Sequence, residues 1–333
     1  MVNEKAKLNP KLFDADVEKK PGRDGYGEGL VLAGEQNENV VVLTADLAES
    51  TRAHWFAKKF PNRFFEVGVA EQNMAAMAAG LAVAGKIPFI SSYAVFSPGR
   101  NYEQIRTTIA YNDANAKIAG AHAGISVGPD GATHQATEDM AIMRVMPNMK
   151  VFCPCDSIEA KKATLAAAKI FGPTYLRFGR EKMPVITTEE TLFAVGEAQV
   201  FWEPAPKKKG EVVIIACGNL VFEALIAAKY LAEKEKIEVY VINSPSIKPL
   251  DEKLILEIGK KVGAIVTAEE HQVTGGLGGA VAELLGKKMP LPIEFVGLQD
   301  TFGESGQPEE LMKKYHLDSA AIIEAVKKVL KRK

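Results

Sequence analysis

The sequence has little cysteine, no long apolar run and almost no net charge. Its three cysteines cannot form a disulfide framework, and Cys153-Pro-Cys155 is too short to hold zinc without further ligands. The longest apolar run ends at Gly85 and is too short to cross a bilayer. The net charge of −1 gives no general attraction to nucleic acid or anionic membranes. The charged start, MVNEKAKLNPKLF, lacks the apolar segment of a secretory signal. We therefore expect a soluble, cytoplasmic protein.

Strand-like and helix-like segments alternate along the 333 residues, which predicts parallel sheets covered by helices. In the first part, the pattern predicts helices at 25–33, 71–84, 102–111, 138–144 and 157–170, and strands from 39 and at 87–92, 117–121 and 150–155. The composition changes after Arg180, and further strands are predicted at 211–217, 238–242, 264–268 and 292–296. We predict an α/β protein of two domains, 1–190 and 191–333, each a mostly parallel sheet covered by helices.

Glu71 opens an almost uncharged run that reads MAAMAAGLAVAG from Met74 to Gly85. We expect this helix to be buried, because it offers no polar positions to water. A buried carboxyl either takes up a proton or finds a partner. A carboxyl that shares a proton can hydrogen-bond to a ring nitrogen of a heterocycle. The simpler alternative is an acid that the helix dipole favours in the first turn.

The segment AHAGISVGPDGATHQATED, residues 121–139, combines a glycine-rich loop with two histidines. His122 and His134 flank the glycines and Asp130, and the loop follows the predicted strand 117–121. The carboxyl ends of parallel strands form the usual ligand crevice of α/β sheets. Imidazoles suit proton transfer near neutrality and can donate to phosphate or hydroxyl oxygens. A glycine-rich turn without a ligand remains the alternative. The nucleotide-binding patterns GxGxxG and Walker A are absent.

Glu71, the stretch SSYAVFSPGRNYEQIR and this loop follow one another in an order that resembles the pyrimidine-binding half of thiamine-diphosphate enzymes, and transketolase most closely. The pattern TAEEHQVTGGLGGAVAELL at 267–285 resembles that family's C-terminal domain. Transketolases generally carry an upstream domain that binds the diphosphate and Mg²⁺, with a GDG motif that we do not find. The chain therefore resembles the C-terminal subunit of a split transketolase, which would be inactive alone.

The resemblance implies roles around the cofactor. Glu71, in AEQNM, matches the glutamate that protonates N1′ of the aminopyrimidine. Tyr93 and Phe96 match aromatic residues that wall this ring, and Asp46, in LTADLAES, matches an aspartate near the cofactor at the subunit interface. His134, in DGATHQ, matches a histidine near the reaction centre that assists proton transfer or binds the carbonyl oxygen. Packed aromatics and a helix cap remain alternatives for Tyr93, Phe96 and Asp46.

The resemblance also implies a phosphate site. The family holds the sugar phosphate with four side chains, which correspond here to Arg23, Ser50, His122 and Arg180. Guanidinium groups give forked donors to phosphate oxygens, and the other two groups add directional hydrogen bonds. Asp130 matches an aspartate that recognises a substrate hydroxyl. Arg177 competes with Arg180, although the spacing to the following proline favours Arg180.

The implied reaction transfers a two-carbon ketol unit from a ketose phosphate to an aldose phosphate, as in the pentose phosphate pathway. The implied cofactors are thiamine diphosphate and Mg²⁺ or Ca²⁺, with the metal ligated by an N-terminal partner subunit and not by this chain. Two copies of each subunit would form a heterotetramer, with the C-terminal domain providing dimer contact. His271 would serve there as a helix cap or an interface residue.

Three other functions stay open. 1-Deoxy-xylulose-5-phosphate synthase shares the DGxTHQ pattern, but its loop usually starts with an acid where this chain has His122. The β subunit of a 2-oxo-acid dehydrogenase is a similar split partner, but that family lacks DGATHQ. The third alternative is a non-catalytic subunit that has kept the fold. The loop GPDGATHQATED and Pro98-Gly99 depart from the usual transketolase pattern, so the sugar specificity also stays open.

Overall fold

Two sheets form the framework of the chain, and the computed structural model describes all residues from 1 to 333. Their central strands are runs such as VVVLT and VVIIA in which every residue is buried, as expected when helices cover both faces of a parallel sheet. In chain order the strands are β1 (Lys19–Pro21), β2 (Val40–Thr44), β3 (Phe64–Glu66), β4 (Ile87–Tyr93), β5 (Lys117–Ala121), β6 (Lys150–Phe152), β7 (Thr174–Arg177), β8 (Lys182–Pro184), β9 (Gln199–Trp202), β10 (Val212–Ala216), β11 (Val239–Asn243), β12 (Ser246–Lys248), β13 (Ile265–Gln272) and β14 (Ile293–Leu298).

The helices begin and end at residues suited to those positions. Asp156 and Asp251 accept hydrogen bonds from backbone N–H groups of the first turns of two helices, and Gly263 ends the second of these in a left-handed conformation. The α-helices are α1 (Gly22–Gln36), α2 (Ala48–Thr51), α3 (Ala53–Lys59), α4 (Glu71–Val83), α5 (Tyr102–Gln104), α6 (Asp139–Arg144), α7 (Ser157–Lys169), α8 (Leu220–Tyr230), α9 (Glu252–Val262), α10 (Leu277–Lys288), α11 (Pro308–Lys314) and α12 (Ser319–Leu330). None of them is long and apolar enough to span a bilayer.

The sheet topology confirms the predicted fold class. The first sheet has seven strands in the order β12-β6-β7-β5-β4-β2-β3, all parallel except β12. The second has five strands in the order β14-β13-β10-β11-β9, all parallel except β9. Strands β1 and β8 pair separately as a small antiparallel ribbon. The chain thus consists of two mostly parallel sheets flanked by helices.

The two sheets are joined by extensive packing and by exchanged segments. Strand β12 comes from the second half of the chain but pairs with β6 at the edge of the first sheet. In the opposite direction, the N-terminal segment crosses to the second sheet, where the Asn3 N–H donates to the Phe201 carbonyl at 2.9 Å. One hydrophobic cluster of 34 buried residues contains side chains from both halves, so they share a core.

Two helical segments differ from expectation. The prediction that α4 is buried throughout is wrong, because Met77 is 37% exposed and Val83 is 81% exposed on its outer face. Only the face that carries Met74, Ala75 and Ala78 packs into the core. The helix predicted at 102–111 is a single α-turn, α5, that continues as a π-helix over Ile105–Ala110.

Candidate active site

Three adjacent strands of the first sheet, β5, β4 and β2, end at the same edge and position the predicted site residues. Asp46 follows β2, Tyr93 ends β4, and His122 follows β5. Asp46 and His122 adopt left-handed backbone angles, with φ of 62° and 52°. Such angles are uncommon for residues other than glycine and concentrate at functional sites. The site therefore lies in the crevice where open α/β sheets bind ligands.

Glu71, the first residue of α4, is buried and paired with a cation. Its carboxylate accepts hydrogen bonds from Nη1 of Arg100 at 3.1 and 3.2 Å, and its side chain is 3% exposed. Asn101 fixes the start of the helix by donating from Nδ2 to the Glu71 carbonyl at 3.1 Å. Arg100 is half exposed, and its guanidinium lies 4.1 Å from the centre of the Phe96 ring. Arg100 lies 29 residues away from Glu71 in the chain, so no local sequence pattern points to this pair.

Aromatic rings connect this carboxylate to both loop histidines. Tyr93 and Phe96 are stacked with ring centres 5.8 Å apart. Tyr93 stacks on His122 at 3.9 Å, and Phe96 meets the edge of His134 at 5.4 Å. The structure therefore brings Glu71, through Arg100 and Phe96, into one cluster with the two imidazoles.

The second part of the cluster is strongly cationic. Nη1 of Arg23 donates to the Ser50 carbonyl at 3.0 Å and lies 3.3 Å from Nε2 of His122. A guanidinium can only donate, so Nε2 of His122 accepts and its proton is assigned to Nδ1, which is buried without a partner. Burial, together with the charges of Arg23 and Arg180, lowers the pKa of His122 to about 3. This histidine is therefore a neutral imidazole with one unused donor.

The two competing arginines have different surroundings. Arg177 is buried, and its Nε donates to the Asp139 carboxylate at 2.8 Å while Nη2 donates to the Glu270 carbonyl at 2.7 Å. Arg180 is partly exposed and donates to the Val127 carbonyl in the glycine loop at 2.6 Å. Arg177 therefore has a structural environment, whereas Arg180 lies against the glycine loop, is partly exposed and has further donors available.

Asp46 and Asp130 lie at the rim and not within this cluster. Both are exposed, and the Asp46 N–H donates to Oε1 of Glu66 at 2.7 Å. Asp130 ends a 3₁₀ turn, Ile125–Asp130, that the glycine loop forms. His271 lies elsewhere: it is fully buried between the two halves, where its Nε2 accepts from the Ala141 N–H at 3.4 Å.

The residues around Glu71 fit an aminopyrimidine ring. Glu71 lines an open pocket of about 570 Å³ together with Val69, Arg100 and neighbouring residues. A carboxyl at its wall suits a ring nitrogen, the Phe96 ring suits an aromatic face, and the unused Nδ1 of His122 suits an oxygen acceptor. No group of three or more His, Cys, Asp or Glu side chains is arranged to hold a metal.

Comparison with protein families gives two matches that together span most of the chain. Residues 18–185 match the transketolase pyrimidine-binding domain, and residues 204–322 match the transketolase C-terminal domain.

Known proteins of similar length also match. The chain is 44% identical to a putative transketolase C-terminal section of Methanocaldococcus jannaschii, over 93% of this chain and 96% of that protein. It is 38% identical to a 6-deoxy-6-sulfo-D-fructose transketolase subunit of a Clostridium species, over 96% and 98% of the two chains. A solved structure described as a split gene transketolase, inactive beta4 tetramer, superposes with a TM-score of 0.86 at 46% identity and covers 93% of this chain and 98% of its own.

Proposed function

This chain belongs to the transketolase family, and we propose that it is the catalytic C-terminal subunit of a split transketolase. Residues 1–190 would form the pyrimidine-binding domain and residues 191–333 the C-terminal domain. The proposed reaction moves a two-carbon ketol unit from a ketose phosphate to an aldose phosphate. The observation that carries the proposal is the buried Glu71 carboxylate, which is paired with Arg100. The guanidinium of Arg100 lies over the Phe96 ring, which in turn contacts His134.

Glu71 would hold the proton that it shares with N1′ of the cofactor's aminopyrimidine. Phe96 and Tyr93 would contact the ring, and Asp46 would lie near it from the rim. When bound, thiamine diphosphate supplies the electron sink for breaking the bond between C2 and C3 of the sugar. Its Mg²⁺ or Ca²⁺ would be ligated by the partner subunit.

The cationic part of the cluster would bind the substrate phosphate. Arg23 contacts His122 and the Ser50 backbone carbonyl, and the charge of Arg180 also acts on His122. The two guanidinium groups, the neutral imidazole and the Ser50 hydroxyl would together hold the phosphate. Because His122 is neutral, it would donate a single directional hydrogen bond from Nδ1 and would not add a third charge. Asp130 would accept from a sugar hydroxyl, and His134 would move protons near the substrate carbonyl.

A partner polypeptide would complete the site. The pocket beside Glu71 is open, and exposed apolar side chains surround the start and outer face of α4, with Val69 68% exposed and Val83 81% exposed. We infer that these side chains contribute to an interface. The relative described as an inactive beta4 tetramer supports both self-association and dependence on a partner. We propose an N-terminal, diphosphate-binding subunit as that partner, in a cytoplasmic heterotetramer.

Reconstitution tests this function. The chain is co-purified with a candidate N-terminal subunit, supplied with thiamine diphosphate and Mg²⁺, and assayed with xylulose 5-phosphate and ribose 5-phosphate. We expect transfer by the pair and none by either subunit alone. Pyruvate with glyceraldehyde 3-phosphate tests the synthase alternative, and pyruvate with an artificial electron acceptor tests the dehydrogenase alternative. Robust transfer by the isolated chain would contradict the need for a partner.

Glu71→Gln is the decisive variant, because the amide cannot share a proton with a ring nitrogen in the same way. We expect a loss of roughly 10³-fold in the turnover of the assembled enzyme, within the range of about 10²- to 10⁴-fold that one acid–base group typically contributes. Glu103→Gln, which changes an exposed acid in α5, is the matched control and should retain activity. Near-normal turnover of Glu71→Gln would rule out this role.

A further inference from the structure

The strand β13 carries two adjacent buried glutamates whose side chains point in opposite directions. Glu269 is 1% exposed and Glu270 is 3% exposed. The Glu269 carboxylate accepts from the N–H groups of Leu277 and Gly278, both at 2.7 Å, and so caps the start of α10. Burial raises the pKa of both carboxyls. The two glutamates lie on the same strand and are both buried, but their carboxylates contact different parts of the protein.

Glu270 reaches across to the glycine loop of the other half. Its Oε1 accepts from the Ser126 N–H at 2.6 Å, and its Oε2 accepts from Nδ2 of Asn219 at 2.5 Å. The contact with the loop is close: a Cβ atom added to Gly124 would lie 2.3 Å from Oε1. The carboxylate therefore fixes the loop backbone by a hydrogen bond at Ser126 and packs closely against Gly124, which lies two residues after His122.

The anchored segment in turn holds the phosphate-site residues. Gly124 and Ser126 connect His122 to Val127, whose carbonyl accepts the hydrogen bond from Arg180. Arg180 keeps this contact only while the Val127 carbonyl stays in place. Gln135 strengthens the arrangement, because its Nε2 donates to the Ile125 carbonyl at 3.1 Å and to the Glu304 carbonyl at 2.9 Å.

We propose that Glu270 is a positioning residue, through which the C-terminal half holds the glycine loop so that His122 and Arg180 converge on the substrate phosphate. This inference rests on the proposed function and adds to it a part for the second half of the chain beyond subunit contact. It also explains why position 124 has no side chain, since any Cβ would displace the carboxylate.

The kinetic test compares Glu270→Ala with Glu269→Ala in the reconstituted pair. For Glu270→Ala we expect the KM for xylulose 5-phosphate to rise about tenfold or more, with kcat changed less than about threefold. The KM for hydroxypyruvate, a ketol donor without phosphate, should change less than about threefold. Glu270→Gln keeps an acceptor for the Ser126 N–H and should restore most of the affinity. Glu269→Ala should lower stability without this selective loss. Equal losses for both donors would overturn the proposal.

A second measurement requires no activity. Hydrogen exchange of the peptide covering residues 122–131, followed by mass spectrometry, should become about tenfold faster in Glu270→Ala but not in Glu269→Ala. If Glu270→Ala does not fold, Gly124→Ala displaces the same contact from the loop side. Gly85→Ala is its control, because Gly85 has a similar positive φ and no atom within 4 Å of the added Cβ. Unchanged exchange in the loop would overturn the positioning role, whereas a wild-type pair without ketol transfer would contradict only the proposed function.

Discussion

At the scale of single residues, two ion pairs with buried carboxylates differ in how far their arginines are exposed. Glu71 is buried against a half-exposed arginine, which a ligand can displace into water at modest cost. Arg177 is buried against Asp139, and neither group can leave. The two ion pairs therefore have different uses: the arginine of the first can be exchanged for a ligand, and the second pair stabilises the fold.

This difference predicts opposite outcomes for Arg177→Met and Arg180→Met. Removing Arg177 leaves the Asp139 carboxylate buried and without its ion-pair partner, so the free energy of unfolding should fall by roughly 3–5 kcal/mol. Removing Arg180 should cost at most about 1 kcal/mol, because this residue is partly exposed. The substitution should instead raise the KM of the assembled enzyme for phosphate-bearing substrates by about tenfold or more. Urea unfolding of both variants measures the change in stability, and KM values for Arg180→Met measure the change in substrate binding. A stable Arg177→Met protein would contradict the assignment.

The sequence indicated the position of the site better than its internal contacts. Glu71 and His122 could be found because each follows a recognisable local pattern. The Glu71–Arg100 pair and the contact of Glu270 with Ser126 could not be found, since they join residues 29 and 144 positions apart. Such contacts depend on how elements pack, and local pattern contains no information about that packing.

At the scale of elements, the start of α7 concentrates carboxyl groups within the protein interior. Asp156 caps the helix, and Glu159 accepts from the Cys155 N–H at 2.6 Å and from Nδ2 of Asn243 at 2.7 Å. Burial, with the neighbouring Asp156 carboxylate, raises the pKa of Glu159 to about 7. The element therefore contains an acid that titrates near neutral pH.

Glu159→Gln should reveal this titration as a change in stability with pH. The folded state binds the proton more tightly than the unfolded state, whose pKa is near 4.5. The contribution of this proton to the free energy of unfolding is complete below about pH 4.5 and is lost as the pH rises through about 7. Relative to the variant, the wild type should lose roughly 3 kcal/mol between pH 4.5 and 8. Urea unfolding at several pH values measures the difference, and parallel curves for the two proteins would contradict it.

Periodicity identified the long elements and missed the short ones. The apolar run after Glu71 predicted α4 to within one residue of its end, since alanine and methionine favour helices. Strands β8 and β12 have three residues each, too few for a period to appear. The π-helix at Ile105–Ala110 has side-chain spacing too close to that of an α-helix for the sequence to distinguish them.

At the scale of the whole molecule, the two sheets behave as parts of one unit. The Cys153 N–H donates to the Pro245 carbonyl at 2.8 Å, and the Gly218 N–H donates to the Cys153 carbonyl at 3.2 Å. The Gln272 N–H donates to the Thr137 carbonyl at 2.8 Å. The halves are thus joined by these backbone bonds, by the shared core and by the buried Arg177. Separating them would expose backbone and side-chain groups without hydrogen-bond partners.

We therefore expect one cooperative unfolding transition. In scanning calorimetry at fixed protein concentration, a single peak should appear, because neither half keeps its core when the other melts. Arg177→Met should lower the temperature of that peak without splitting it. Two resolved peaks in the wild type would show that the halves are thermodynamically independent.

The three-residue strand β12 has a consequence for any attempt to divide the protein. It covers the outer edge of β6, and an uncovered strand edge is a template for recruiting further chains. A fragment that stops at residue 190 would keep β6 but lose its cover, together with the second-half side chains that fill the common core. Such a fragment should accumulate as insoluble aggregate, because the first half depends for its colloidal stability on β12, a strand of the second half.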